Sequence, residues 1–197
     1  MTIAAVLLAA GAGSRFVGPS HKLMALMRGR PVVLWALEAA VDAGFDEVVL
    51  VTGAIDVAVE LAADPGGLVD PHQLDQVTVL ANPRWAEGMA TSLAVAVEHA
   101  RDRGHQAIVV GLADQPFVTA AAWQAVAASR SPIAVATYGG KRRNPVRLGA
   151  SVWPLLPATG DEGARAVLAA RAELVEPIPC EGLADDIDTV EDLRRWS

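Results

Sequence analysis

Cysteine occurs once in the 197 residues, at Cys180, so neither an internal disulfide nor a cysteine-based zinc site is available. The fold must be held by its core. A reducing cytoplasm is compatible with that usage, and a cytoplasmic location is the expectation. No apolar run approaches the ~20 residues of a membrane span. The apolar opening Ile3 to Ala10 is preceded by no Lys or Arg and reads as a buried strand, not as a signal peptide. Acid is missing where base is not. Residues 1–37 hold Arg15, Lys22, Arg28 and Arg30 with no Asp or Glu, and residues 115–160 hold Arg130, Lys141, Arg142, Arg143 and Arg147 with none. The net charge is nevertheless −7, so segments of +4 and +5 stand in a remainder of −16. Two such segments in an acidic chain point to a local anion site, not a nucleic-acid coat.

The four histidines, His21, His72, His99 and His105, fall in loop or charged surroundings, form no recognisable dyad and read as surface residues. His21 adjoins Lys22. No G-x-x-x-x-G-K-[ST] loop is present, and Gly11-x-Gly13 is followed by Phe16 where a dinucleotide fingerprint needs glycine.

What is present is alternation of strand-like and helical segments with no repeat, low-complexity tract or linker, which predicts one α/β domain over 1–197 with a mostly parallel sheet. Strands are expected at Ile3–Leu8, Glu47–Thr52, Val77–Leu80, Ala107–Leu112, Ile133–Tyr138, Pro145–Leu148 and Leu174–Ile178. Helices are expected at Pro31–Ala43, Gly88–Arg103, Thr119–Ser129, Ser151–Leu156, Glu162–Ala170 and Thr189–Trp196. The turn Gly139-Gly140-Lys141 makes Ile133–Leu148 a hairpin, and Ala63–Gln73 reads as an exposed loop.

Leu8-Ala9-Ala10-Gly11-Ala12-Gly13-Ser14-Arg15 leaves the first strand directly. Glycines at that sheet edge let successive N–H groups turn toward one anion, while Arg15 and Lys22 add formal charge. Asp114 ends the strand Ala107–Leu112 at the same edge, and Pro116 fixes the turn that follows. Magnesium prefers one or two carboxylates with phosphate oxygens and water, so a second carboxylate is sought in Asp186 or Asp188. Alternation in an extended segment puts those two on one side and Ile187 on the other. Asp188-Thr189 with Glu191 and Asp192 is equally a helix N-terminus, and Asp161 equally a helix cap.

Several motifs are familiar in this order: Leu8-Ala9-Ala10-Gly11-x-x-Ser14-Arg15 with Gly18 and Lys22; Asn82-Pro83-x-Trp85-x-x-Gly88-Met89-x-x-Ser92-Leu93; Leu112-Ala113-Asp114-Gln115-Pro116; Asn144-Pro145-Val146; Gly160-Asp161-x-Gly163-Ala164-Arg165; and Asp186-Ile187-Asp188-Thr189-x-Glu191-Asp192. Together, over residues 3 to 192, they resemble the nucleotidyltransferases related to molybdenum cofactor guanylyl- and cytidylyltransferases, the cytidylyltransferase branch above all. The resemblance implies a three-layer, Rossmann-like, glycosyltransferase-A-like fold. It implies that Leu8, Ala9, Ala10, Gly11, Ala12, Gly13, Ser14, Gly88 and Ser92 hold a nucleotide, that Arg15 and Lys22 hold its phosphates, and that Asp114, with Asp186 or Asp188, holds Mg²⁺. Asn144, Asp161 and Arg165 would meet the acceptor. The spacing from Arg15 to Lys22 is longer than in most relatives.

The activity so implied is transfer of CMP from CTP to the phosphate of molybdopterin, with a molybdoenzyme or its accessory protein as recipient. Relatives that use GTP usually read Leu-Ala-Gly-Gly where this chain has Leu8-Ala9-Ala10-Gly11, and the methyl of Ala10 is expected to favour a pyrimidine. Trp85 and Met89 are placed at the base or the pterin, and Lys141, Arg142, Arg143 and Arg147 toward the anionic acceptor. Three other activities stay open: transfer to phospholactate or a sugar phosphate, a nicotinamide-dependent reductase of nicotine-derived pigments, and a carrier that hands cofactor to an apo-enzyme.

Overall fold

The computed structural model describes residues 2–62 and 76–197. The expected loop Ala63–Gln73 and His72 lie outside them.

The first strand, β1 (Ile3–Ala9), is buried over almost its whole length, which is why it reads as a continuous apolar run and not as an alternation. Ala5, Leu7 and Ala9 face one layer of the core, and Ala4, Val6 and Leu8 face the other. A short β2–β3 hairpin (Leu26–Met27, Arg30–Pro31) leads into α1 (Val32–Asp42), which starts directly after Pro31 and closes at Gly44 with φ 71°. Then follow β4 (Glu47–Thr52), α2 (Val57–Ala62), β5 (Val77–Ala81), α3 (Met89–Asp102), β6 (Ala107–Leu112) and α4 (Ala120–Ala127). Thr119 caps α4 by accepting from the Ala122 N–H.

The second half adds β7 (Ile133–Tyr138), β8 (Lys141–Gly149), α5 (Ala164–Ala170), β9 (Val175–Pro179) and α6 (Val190–Trp196). Seven of the described strands form one sheet in the order β5-β4-β1-β6-β8-β7-β9, with β2 and β3 paired apart from it. Only β8 runs antiparallel to its neighbours in that sheet. The hairpin expectation holds, with Gly139 and Gly140 supplying the two positive-φ turn positions at 55° and 79°, so Lys141 begins a strand longer than the sequence suggests. Pairing jumps from Val135↔Val146 to Ala136↔Arg143, leaving Asn144 and Pro145 in a bulge that turns Asn144 toward the sheet's ligand edge. The segment Ser151–Leu156 is a 3-10 helix, Ala150–Leu155, with Pro154 inside it.

Two histidines depart from the surface expectation. His99 and His105 both donate through Nε2 to Glu47, at 2.9 Å and 2.7 Å, and Thr78 adds a third hydrogen bond at 2.8 Å. Fifty-two and fifty-eight residues separate each histidine from Glu47, so no local pattern in the sequence announces the cluster. It sits at the start of β4, opposite the glycine loop. Burial works to raise the Glu47 carboxyl, but the hydrogen bonds from His105, His99 and Thr78 hold it down at about 2. A depressed carboxyl stabilises the fold fully above its ordinary value of 4.5, and that contribution is lost as pH falls toward 2. Glu47→Gln is expected to cost ~1–3 kcal/mol at neutral pH. It should also flatten the decline of melting temperature between those two pH values; an unchanged acid limb in calorimetry would exclude this role.

Candidate nucleotide and metal site

Chain direction puts the carboxyl ends of β1, β4 and β6 along one edge, the place where open α/β sheets bind ligands. The turn from Gly13 (φ 63°) is closed by Phe16 N–H donating to the Gly13 carbonyl at 2.9 Å. Gly13 also lies against Lys22: a Cβ there would sit 3.1 Å from Lys22 Cγ and 3.2 Å from His21 Nε2. His21 Nε2 donates to the Gly11 carbonyl at 3.0 Å while its Nδ1 accepts from the Leu23 N–H at 3.3 Å. That pair of bonds selects one neutral tautomer, and burial with the Lys22 charge beside it pushes the imidazole pKa down. His21 is thus a half-buried brace across the loop rather than a free surface side chain. Gly11 differs from Gly13, because a Cβ at Gly11 would meet nothing within 4 Å. Neither conformation nor packing demands glycine there; the space a side chain would take belongs to the cavity.

That cavity, of about 570 Å³, is lined by Leu8, Ala9, Ala10, Gly11, Ala12, Gly13, Ser14, Arg15 and Lys22 on one side. Trp85, Gly88, Met89 and Ser92 close the other, and Asp114, Asp161 and Asp188 lie in it. Ser92 is buried and held by Asn82, whose Nδ2 donates to Ser92 Oγ at 2.9 Å and to Thr91 Oγ1 at 2.8 Å. Ala10 and Trp85 both line the cavity and Gly53 packs against them: a Cβ on Gly53 would come within 2.6 Å of Trp85 Cβ and 2.7 Å of Ala10 Cβ. The motifs do not reveal Gly53, whose missing side chain lets these two lining residues approach. Asp161 does not cap α5, whose N-cap residue is Gly163 with no side-chain hydrogen bond; it lines the cavity beside Gly88.

At the centre, Lys22 Nζ donates to Asp114 Oδ2 at 2.5 Å and to Asp188 Oδ1 at 3.0 Å, while Arg15 reaches Asp188 Oδ2 at 2.9 Å. Burial alone would depress the Lys22 ammonium, but Asp114 and Asp188 outweigh it and raise its pKa. The late segment is tied to the strand end by backbone, with Ile187 N–H donating to the Asp114 carbonyl at 2.8 Å. The alternation expectation holds for Ile187, which is buried among Met27, Val32 and the rings of Trp35, Phe117 and Trp196. Asp188 is spared from capping, since Thr189 and Asp192 form the capping box of α6.

Asp114 and Asp188 fit a hard divalent cation. Their oxygens already converge on one cationic nitrogen, and Asp114 Oδ1 is buried without a hydrogen-bond partner among the described residues. Among those residues no group of three or more His, Cys, Asp or Glu side chains is arranged to hold a metal, so phosphate and water would complete the shell.

Asp186 turns elsewhere. It lines a second hollow of about 410 Å³ with Arg142, Arg143, Asn144 and Arg165. Gln115 bridges this wall: Asn144 Nδ2 donates to Gln115 Oε1 at 3.0 Å, and Gln115 Nε2 donates to Asp186 Oδ1 at 2.7 Å. Partial burial and the nearby Asp114 push the Asp186 carboxyl up. Arg147 does not reach this hollow. It is 4% exposed, with Nη1 donating to the Ser131 carbonyl at 2.6 Å, because its β8 position faces the layer beneath. Lys141 is exposed at the hairpin tip.

A glycine loop at a parallel-sheet edge, a lysine and an arginine beside it and two convergent carboxylates thus share one cavity. Residues 5–175 match the MobA-like NTP transferase domain, and the chain belongs to that family. Nicotine blue oxidoreductase of Paenarthrobacter nicotinovorans is 33% identical over 206 residues, covering 98% of this chain and 95% of that protein. Bifunctional protein GlmU of Maricaulis maris is 36% identical over 117 residues, covering 59% of this chain but 24% of GlmU. Among solved structures, Rv0371c of Mycobacterium tuberculosis H37Rv is 28% identical with a TM-score of 0.80 over 99% of this chain and 97% of that one. A structure of Rv0371C in complex with manganese gives 27% identity and a TM-score of 0.76, covering 100% of this chain and 98% of that one. Among the described residues, no helix is long and apolar enough to cross a membrane.

Proposed function

We propose that this chain transfers CMP from CTP to the terminal phosphate of a molybdopterin-type cofactor, releasing pyrophosphate. The observation that carries the reading is the adjacency of two unlike hollows, one with the glycine loop, Lys22 and Asp114, the other with Gln115, the next residue in the chain, and rimmed by Arg142, Arg143 and Arg165. A triphosphate suits the first and a phosphorylated, anionic acceptor the second. The product would pass to a molybdoenzyme or its accessory protein.

In this reading an acceptor phosphate oxygen bonds to the α-phosphorus of CTP while the α–β anhydride bond breaks, and pyrophosphate leaves with the bonding electrons. The acceptor phosphate is largely ionised near neutral pH, its second pKa being about 6, so no side-chain base is needed. Loop amides and Lys22 stabilise charge growing on the departing pyrophosphate, and Arg15 holds the outer phosphates. Arg142, Arg143 and Arg165 offset the acceptor's charge, while the Gln115 bridge keeps Asn144 and Asp186 in place on the acceptor wall. Mg²⁺ on Asp114 and Asp188 would supply charge neutralisation across the phosphates when bound. The base would lie against Ala10 and Trp85, where the Ala10 methyl group leaves less room for a purine.

A pyrophosphate-release screen of the four nucleoside triphosphates with molybdopterin and Mg²⁺ tests the reading. CTP is expected to exceed GTP by roughly 10-fold, the scale of a single methyl contact. Equal rates would remove the base assignment, and no release with any of them the acceptor as well. The full-length similarity to nicotine blue oxidoreductase favours a second reading, reduction of a quinoid dye at the same edge. Oxidation of NADPH by such a dye, with no pyrophosphate release, would establish it instead.

A further inference from the structure

We infer that Lys22 is an exchangeable internal cation: in the nucleotide-free protein its ammonium holds the two-carboxylate metal position, and it leaves Asp114 and Asp188 for the triphosphate only when a divalent cation replaces it there. This rests on the nucleotidyltransferase site, though not on the identity of base or acceptor.

The geometry carries the argument. Nζ lies at 2.5 Å and 3.0 Å from oxygens of both carboxylates, and the side chains of Lys22, Asp114 and Asp188 are only 12%, 18% and 19% exposed. An ammonium so enclosed and a divalent cation bound to the same oxygens would lie within a few ångströms of each other with little water between, so one excludes the other. The carboxylates do not depend on Lys22 to converge. Ile187, fully buried, donates to the Asp114 carbonyl, and the capping box fixes Thr189 directly after Asp188. The two ligands therefore remain in place when the lysine leaves.

Charge sets the order of events. With Lys22 and Arg15 on Asp114 and Asp188, the cluster is neutral, so a divalent cation alone finds its ligands already compensated. A triphosphate brings roughly four negative charges to the adjoining loop and gives Lys22 a new partner. The stem crosses Gly13 at near-contact distance, so Nζ can travel from the carboxylates to a phosphate at that loop without the backbone of Lys22 moving far. Lys22 thereby weakens metal binding until nucleotide arrives.

The chain has two lysines, Lys22 and the exposed Lys141, which makes the exchange directly visible. In protein labelled with ¹³Cε-lysine and free of nucleotide, the Lys22 signal should stand apart from that of Lys141 and move toward it as Mg²⁺ is added at concentrations that load the site. A Lys22 signal that stays put while equilibrium dialysis shows Mg²⁺ bound would overturn the exchange. Mn²⁺ binding followed by electron paramagnetic resonance should be at least 10-fold tighter in Lys22→Met than in the unsubstituted chain, and Asp114→Asn in the K22M background should abolish the gain. Equal or weaker binding by K22M, or no binding by either protein, would also overturn it. The lysine spectrum of the unsubstituted protein decides the matter if K22M does not fold. Neither measurement contains CTP or a pterin, so both outcomes stand apart from the substrate assignment.

Discussion

Asp114→Ala and Lys22→Ala are each expected to lower nucleotidyl transfer by a factor of 100 or more, the scale of one electrostatic contribution in a site of this kind. The two losses have different origins. Asp114 Oδ1 has no hydrogen-bond partner among the described residues, so in the proposed mechanism its removal would take away a metal ligand. Lys22 contributes a cation that would stabilise the leaving pyrophosphate, so its removal spares metal binding and strikes turnover. Because Lys22 and a cation on Asp114 would act on the same triphosphate, the double variant should lose much less than the product of the single losses. Turnover within a few-fold of the unsubstituted enzyme in both single variants would end the mechanism, provided circular dichroism shows both folded.

Gly88→Ala should lower stability by ~2 kcal/mol or more and weaken nucleotide binding at least 10-fold. Its φ is 107°, a region that L side chains rarely adopt, and a Cβ would come within 2.4 Å of the Gly160 carbonyl carbon and 2.8 Å of Asp161 Oδ1. At this crossing the Trp85 turn and the Asp161 loop are joined by Gly160 N–H donating to the Glu87 carbonyl at 3.0 Å and Ala90 N–H donating to the Gly160 carbonyl at 2.9 Å. Prising them apart opens the cavity wall opposite the glycine loop. Gly11→Ala makes the complementary case. With nothing within 4 Å of the new methyl, stability should change by less than about 0.5 kcal/mol while nucleotide affinity falls. Denaturant titration beside calorimetric nucleotide binding separates the two glycines, and a G11A protein that loses stability but not affinity would reverse their roles.

Local physics explains how much of this was legible beforehand. The buried run of β1, the glycine loop behind it, Asp114 before Pro116 and the alternation of strand and helix are properties of neighbours in the chain, and the fold and most of the cavity lining follow from them. The Thr189 capping box was legible for the same reason, being complete within four residues. The histidines and Arg147 were misread because a charge pattern does not reveal which face of its element a residue occupies. His99 and His105 find Glu47 across the sheet, and Arg147 takes its place in the β8 pleat from pairing with β6 and β7.

The sequence by itself determined the chemical inventory: two acid-free basic segments, a glycine-rich loop at a strand end, and carboxylates at a strand end and ahead of the last helix. Only the tertiary structure decided which of these meet. Lys22 lies 92 residues from Asp114 and 166 from Asp188, yet their charged atoms touch; Asp186, two residues from Asp188, serves another hollow. The physical reason is that an ion pair or a metal position depends on distances of a few ångströms between distant elements. Those distances are set by sheet order and by the burial of Ile187, neither of which a local pattern encodes.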